Sequence, residues 1–146
     1  MATDSTHQDT QPKSFSRHLP TIVRILMGLV FFVFGLNGFL NFIPQPKTAM
    51  PQRAVDFIGA LMNTGYMFPL IAGTQLIVGA LLLLNRFVPL ALALIAPIIV
   101  GIITFHIFLA PTGMGMAIFV VVMELYLAWA YRSAFRPMLA MRVIPG

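Results

Sequence analysis

The chain has 146 residues, of which 59% are hydrophobic and only 9% charged, with a mean hydropathy of +0.91. A soluble domain carries about 25% charged residues, so this composition cannot cover a water-facing surface and leaves no room for a soluble domain beside the apolar segments. The formal net charge of +5 bears on membrane topology and anionic headgroups before nucleic acid, and the lack of cysteine excludes a disulfide framework, thiol relay chemistry and thiolate metal sites.

Residues 1–20 are polar and without apolar periodicity, which reads as a disordered tail carrying Lys13, Arg17 and His18 ahead of the first apolar run. The run 21–42 exceeds the about 7–15 residues of a signal-peptide core, and no small-residue cleavage site follows it, so a retained spanning helix is predicted. At about 1.5 Å per residue it crosses about 30 Å of hydrocarbon. Its last third, FGLNGFLNFIP, places Gly35 and Gly38 for close backbone approach and Asn37 and Asn41 on one face, before Pro44 and Pro46 end the helix.

The connection 44–65 is the longest. PQRAVDFIGALMNTG predicts a short helix with Pro51 at its first position and Val55, Ile58, Leu61 and Met62 on a shared face, lying at the membrane surface or capping the bundle. A second span, 66–84, has Gln75 near its centre, on a face with the small residues Ala72 and Gly79 that suits packing against another helix. Asn85-Arg86-Phe87 makes a tight return, and Pro89 suits the first turn of a third span, 88–110. Pro97 lies mid-span there, where it leaves the Ala93 carbonyl without its normal donor and predicts a kink; His106 lies near the far end. Residues 110–113 turn the chain into a fourth span, 114–131, with Glu124 near its middle, and a basic tail, 132–146, follows.

Four spans put both termini on one side. That side would carry Lys13, Arg17, Arg24, Arg86, Arg132, Arg136 and Arg142, against only Lys47 and Arg53 on the other, so the termini are expected in the cytoplasm. The expected fold is all-α, an integral membrane four-helix transmembrane bundle with both termini cytoplasmic, in which short connections make the second and third and the third and fourth spans antiparallel neighbours.

Glu124 is the only acid in any long hydrophobic segment. An ionised carboxylate at that depth costs roughly 2.5–3.5 kcal/mol on insertion scales. Apolar surroundings favour the neutral acid, which donates a hydrogen bond. By depth, Gln75 and Glu124 fall near the midplane, Asn37 in the outer half, and Asn41 and His106 close to the outer surface. The inner half reads as almost purely apolar. Facing inward, these five would outline a pocket that opens outward and ends at Glu124, and they are the ligand-binding candidates. Structural readings stand beside the functional one: Asn37, Gln75 and Glu124 as hydrogen-bonding glue between helices, Asn41 as a helix end, His106 as donor to a backbone carbonyl, Pro97 as a structural kink, and Tyr126, Trp129 and Tyr131 as an interfacial belt. No phosphate loop, nucleophile elbow, HExxH or paired carboxylates occur. No catalytic residue is identifiable, and His106 alone cannot hold a metal or a bis-His haem.

RILMGLVFFVFGLNGFLNFIP, TGYMFPLIAGTQLIVGALLLLNRFVPLALALIAPI, FHIFLAP and ELYLAWAYRSAFRP resemble the DoxX family of small four-helix bacterial membrane proteins, over residues 24–137. FGLNGF, the GT-x-x-IVG run and the FH pair carry the resemblance. The chain departs from the pattern at Gln75, where relatives often carry Glu, and at Gly101, where they often carry Asn; both changes remove polarity from the pocket and halve any carboxylate pair. The resemblance implies the bacterial inner membrane and an association with redox complexes, since relatives are described as a subunit of a thiosulfate:quinone oxidoreductase and as a component of oxidative-stress complexes.

The leading expectation is a redox-associated accessory subunit that binds a quinone or another small hydrophobic ligand near Gln75, His106 and Glu124. Its expected partners are the lipid bilayer, a redox partner protein and further copies of the chain, with no nucleic acid. The alternatives are a scaffold or assembly factor, and a small-solute or proton pathway, which the apolar inner half disfavours.

Overall fold

A computed structural model describes residues 15–44 and 49–141. Most of the expected N-terminal tail, Pro46 and Lys47 of the first loop, and Arg142 lie outside the described residues. The chain forms α1 (Phe15–Leu40), α2 (Gln52–Asn63), α3 (Met67–Leu83), α4 (Val88–Phe108), α5 (Met114–Ala130) and the single turn α6 (Arg132–Phe135), with 3-10 turns at Pro111–Gly113 and Arg136–Leu139. There is no strand among the described residues. The helices α1, α4 and α5 (the last with its preceding turn) are long and apolar enough to cross a membrane. The pair α2 and α3, bent by 89° at their junction, makes a fourth crossing if taken as one span.

The first helix begins at Phe15, six residues before the expected start of the first span, with Pro20 inside it. Proline lacks the N–H that would bond the Ser16 carbonyl, a loss tolerable where exposed Ser16 is within reach of water. The helix stops at Leu40 because Asn41 adopts φ 49°, a left-handed conformation that asparagine accepts. The return between α3 and α4 is built the same way, with Asn85 at φ 54° and Phe87 at φ 50°.

The helices pack in a ring, α1 on α3, α3 on α4, α4 on α5 and α5 on α1, with the most extensive contact between α1 and α3. That contact is close because its facing residues are small. A Cβ at Gly35 would stand 2.5 Å from the Leu76 nitrogen, one at Gly38 would stand 2.5 Å from the Ala72 Cβ, and one at Gly79 would run into the Phe32 backbone. The core lies toward the end of the bundle away from α2, around Met27, Val78, Leu82, Leu92, Ile95 and Leu127.

The second helix follows Pro51, which precedes its first turn. It turns Ala54, Ile58 and Leu61 inward, whereas Val55 and Met62 are exposed. The expected shared face of Val55, Ile58, Leu61 and Met62 is therefore rotated by about one residue. The small Ala54 lets the helix lie down closely on its neighbours, and Phe57 reaches Phe105 of α4 with ring centroids 5.8 Å apart.

Candidate functional site

At the α2 end the four long helices part around a cavity of about 510 Å³. Its walls come from the last turns of α1, the first half of α3, the last turns of α4 and the first turns of α5, with Ile58 of α2 above. Most of the lining is apolar or aromatic, including Phe31, Phe34, Phe68 and Phe105, and three polar side chains break it: Asn37, Gln75 and His106. No charged side chain lines it.

Each of these residues is held by its helix, and two are further tied at a helix end. The Asn37 Oδ1 accepts the Ile43 N–H at 2.7 Å, which binds the segment leaving α1 back onto the helix. An amide whose oxygen is used in this way keeps its NH₂ as a donor. His106 Nδ1 lies 2.9 Å from the Ala110 carbonyl oxygen. A carbonyl only accepts, so Nδ1 carries the hydrogen, and the neutral ring offers Nε2 as an acceptor. The imidazole is seated against Gly113, where any side chain would collide with it. Gln75 is partly buried, and none of the side-chain hydrogen bonds formed among the described residues involves it. Its amide is free to turn toward a ligand.

Of the five residues singled out from the sequence, the structure brings these three to one cavity and leaves two outside its lining. Asn41 is exposed and ends α1, its N–H bonded to the Asn37 carbonyl at 2.8 Å. Glu124 is 9% exposed, and its Oε2 is buried with no hydrogen-bond partner. It lies one turn, about 6 Å, beyond Val120, which does line the cavity. Side chains on a helix lean toward its N-terminus, so the Glu124 carboxyl leans toward Val120 and the cavity floor.

One polar residue escaped the sequence reading. Arg24 counts there only as a topological charge, but it is 6% exposed, and its Nη1 donates to the Leu82 carbonyl at the last turn of α3. The last carbonyls of a helix lack intrahelical donors and carry the negative end of its dipole, so a guanidinium fits there. The half of the bundle away from α2 is therefore not purely apolar. Arg132 does the same for α5, donating to the Trp129 carbonyl at 3.0 Å with its guanidinium 4.7 Å from the Trp129 ring centroid. The sequence signal for Arg24 was its position three residues inside the apolar run, deeper than any other arginine of that segment.

Two neutral donors, one neutral acceptor and aromatic walls suit a small uncharged molecule with polar atoms at its edge. Among the described residues, no three carboxylate or imidazole side chains come together as metal ligands would. Comparison of the chain with protein-family models, with curated proteins and with solved structures finds no match.

Proposed function

We propose that this chain is a DoxX-like four-helix protein of the bacterial inner membrane, with both termini cytoplasmic. In this reading it serves as a redox-associated accessory subunit that holds a quinone or a similar small hydrophobic ligand in the α2-end cavity. The observation that carries the reading is the convergence of Asn37, Gln75 and His106 in an otherwise apolar, uncharged cavity of about 510 Å³. The volume lies within the about 300–1,000 Å³ of small-molecule sites. Quinone carbonyls accept hydrogen bonds, which the Asn37 and Gln75 amides can donate, and a quinol hydroxyl can donate to His106 Nε2. A bound quinone would supply two-electron, two-proton redox chemistry. The chain's own residues bind and orient the head, and the aromatic walls exclude water. Orientation follows from charge: Arg24, Arg86, Arg132 and Arg136 lie toward one end of the bundle and Arg53, on α2, toward the other, so the α2 end faces away from the cytoplasm.

Lipid-extracted mass spectrometry of gently purified protein, with quinone titration in nanodiscs, tests this. A quinone retained by the wild type, and lost in Gln75→Leu and His106→Ala variants that still fold, is the expected result. A wild type that neither retains nor binds quinone overturns it.

The scaffold reading has one observation in its favour, since Asn37 and His106 already spend one polar atom each on tying helix ends. It predicts that removing residues 132–146 loses a co-purifying protein while Gln75→Leu keeps it.

A further inference from the structure

We infer that the ligand enters the cavity sideways from the bilayer, and that a long isoprenoid tail on a quinone lies in a second groove between α3 and α4. This rests on the quinone reading above and adds the part of the ligand that reading leaves unplaced.

The groove has a volume of about 650 Å³ and runs along the flank of the bundle between α3 and α4, under α2. It is not a separate feature. Seven residues, among them Ile71, Gln75, Ile102 and His106, line both it and the cavity. Its outer edge is formed by apolar side chains on the membrane-facing surface, including Leu70, 59% exposed, and Leu94, 44% exposed. At the α2 end Phe57 and Phe105 lie across it.

Its depth comes from α4. Pro97 and Gly101 stand one turn apart on the same side of the helix, and neither extends a long side chain. Glycine inside a helix costs stability relative to alanine, so it is usually kept where packing requires it. Gly35 and Gly79 meet that condition against neighbouring backbone, but a Cβ at Gly101 would meet nothing within 4 Å. At Gly101 the missing side chain is space, and the space belongs to the groove.

The chemistry along the groove separates tail from head. Thr74, its hydroxyl residue away from the cavity, donates back to the Leu70 carbonyl at 2.8 Å and so offers no donor to a ligand. The polar side chains of the groove left able to meet a ligand are Gln75 and His106, both on the wall shared with the cavity. An amphiphile therefore fits one way round, with its polar head in the cavity and its hydrocarbon in the groove. Neither space is lined by a cation, so an anionic phosphate headgroup finds no countercharge. A neutral head is required, which selects the isoprenoid quinone over a phospholipid.

The test uses the full-length protein in nanodiscs and two probes, a long-tailed ubiquinone with a photoreactive group on its tail and the tailless dimethoxy-methyl-benzoquinone head. Wild type is expected to bind both and to be labelled in the peptide containing Leu94, Pro97 and Ile98. Gly101→Leu, which extends into the groove from a position where an added Cβ meets no protein atom, should weaken binding of the long-tailed probe by about tenfold or more. It should leave binding of the tailless head unchanged, and that result also reports an intact fold. If both probes bind but the label falls elsewhere, or Gly101→Leu weakens neither, the groove assignment is overturned and the cavity reading stands. If neither probe binds wild type, both fall together. A phospholipid retained by wild type and lost in Gly101→Leu, or a second copy cross-linked across the groove, overturns the assignment of a quinone tail to this surface.

Discussion

The two sides of α3 do opposite things. On one side Ala72 and Gly79 press against Gly35, Gly38 and Phe32 of α1, so closely that an added Cβ would strike backbone. On the other side the chain faces Pro97 and Gly101 of α4 across open space. A small residue draws two helices together when the opposing surface follows it in, and leaves a hole when the opposing surface does not. On α4, Ile95 and Ile99 are buried in the core, whereas Pro97 and Gly101 line the groove. Small residues are therefore only half of a packing statement, and the partner surface decides the sign.

The most direct way to break this contrast is one substitution made on each side. Gly79→Ala adds a methyl group against the Phe32 backbone, which cannot give way as a side chain tip can. A stability loss near the upper end of about 1–3 kcal/mol is expected in unfolding measured in detergent. No loss would mean that the α1–α3 seam is not the tight one. Arg24→Ala tests how that seam is closed at its far end. It removes the charged donor to the Leu82 carbonyl, and a loss of about 1.5–3 kcal/mol is expected in the same assay.

Glu124 stands where packed core gives way to cavity. Its buried, unpartnered Oε2 makes it a net burden in the protein alone. Glu124→Leu is therefore expected to raise stability, by about 1 kcal/mol, as replacement of unsatisfied buried polar groups commonly does. A drop of similar size would assign the carboxyl a structural partner and sink its reading as a group waiting for a ligand. The smallest expected effect completes the pair begun at Gly79. Gly101→Ala should stabilise the protein by about 0.5–1 kcal/mol, because it gains helix propensity and meets no protein atom. The same chemical change would then have opposite signs on the two sides of one groove-forming helix pair and one seam.

A second contrast runs along the bundle. At one end α3 and α5 finish on arginines, Arg24 and Arg132, which meet their last carbonyls with positive charge. At the other end α1 and α4 are tied off by neutral groups, Asn37 and His106. His106 also serves a carbonyl, that of Ala110, whereas Asn37 accepts the Ile43 N–H of the segment leaving α1. Each satisfies a backbone group with one polar atom and keeps another for the cavity. This is how residues that serve helix ends also become the polar lining of a site.

Much of the fold was legible because apolar runs long enough to cross a bilayer have few other uses, and because Gly-Pro-Asn punctuation fixes where they stop. The starts of α2, α3, α4 and α5 fell within a residue or so of their expected places. The start of α1 did not, since the polar stretch before residue 21 shows no apolar periodicity, yet the helix begins at Phe15 and runs through Pro20. Depth along the spans placed Asn37, Gln75, His106, Asn41 and Glu124 in one pocket, and the structure gathers the first three of them in its lining. Glu124 shares a face of α5 with Val120, and what leaves it outside the lining is one further turn along the helix, past the point where the four helices close on each other.

What the sequence by itself determined is the set of apolar helices, their order and the scarcity of charge among them, because the bilayer and the backbone's need for internal hydrogen bonds leave few other solutions. What only the tertiary structure decided is which small residues become contact and which become space. Gly79 and Gly101 are the same residue in similar apolar surroundings, and nothing local distinguishes them. The difference arises from the position of the neighbouring helix, which is set by the whole core at once. The lone acid is the plainest instance: the sequence marked Glu124 as costly, and the packing left it one turn beyond the cavity, buried with an oxygen still unpaired.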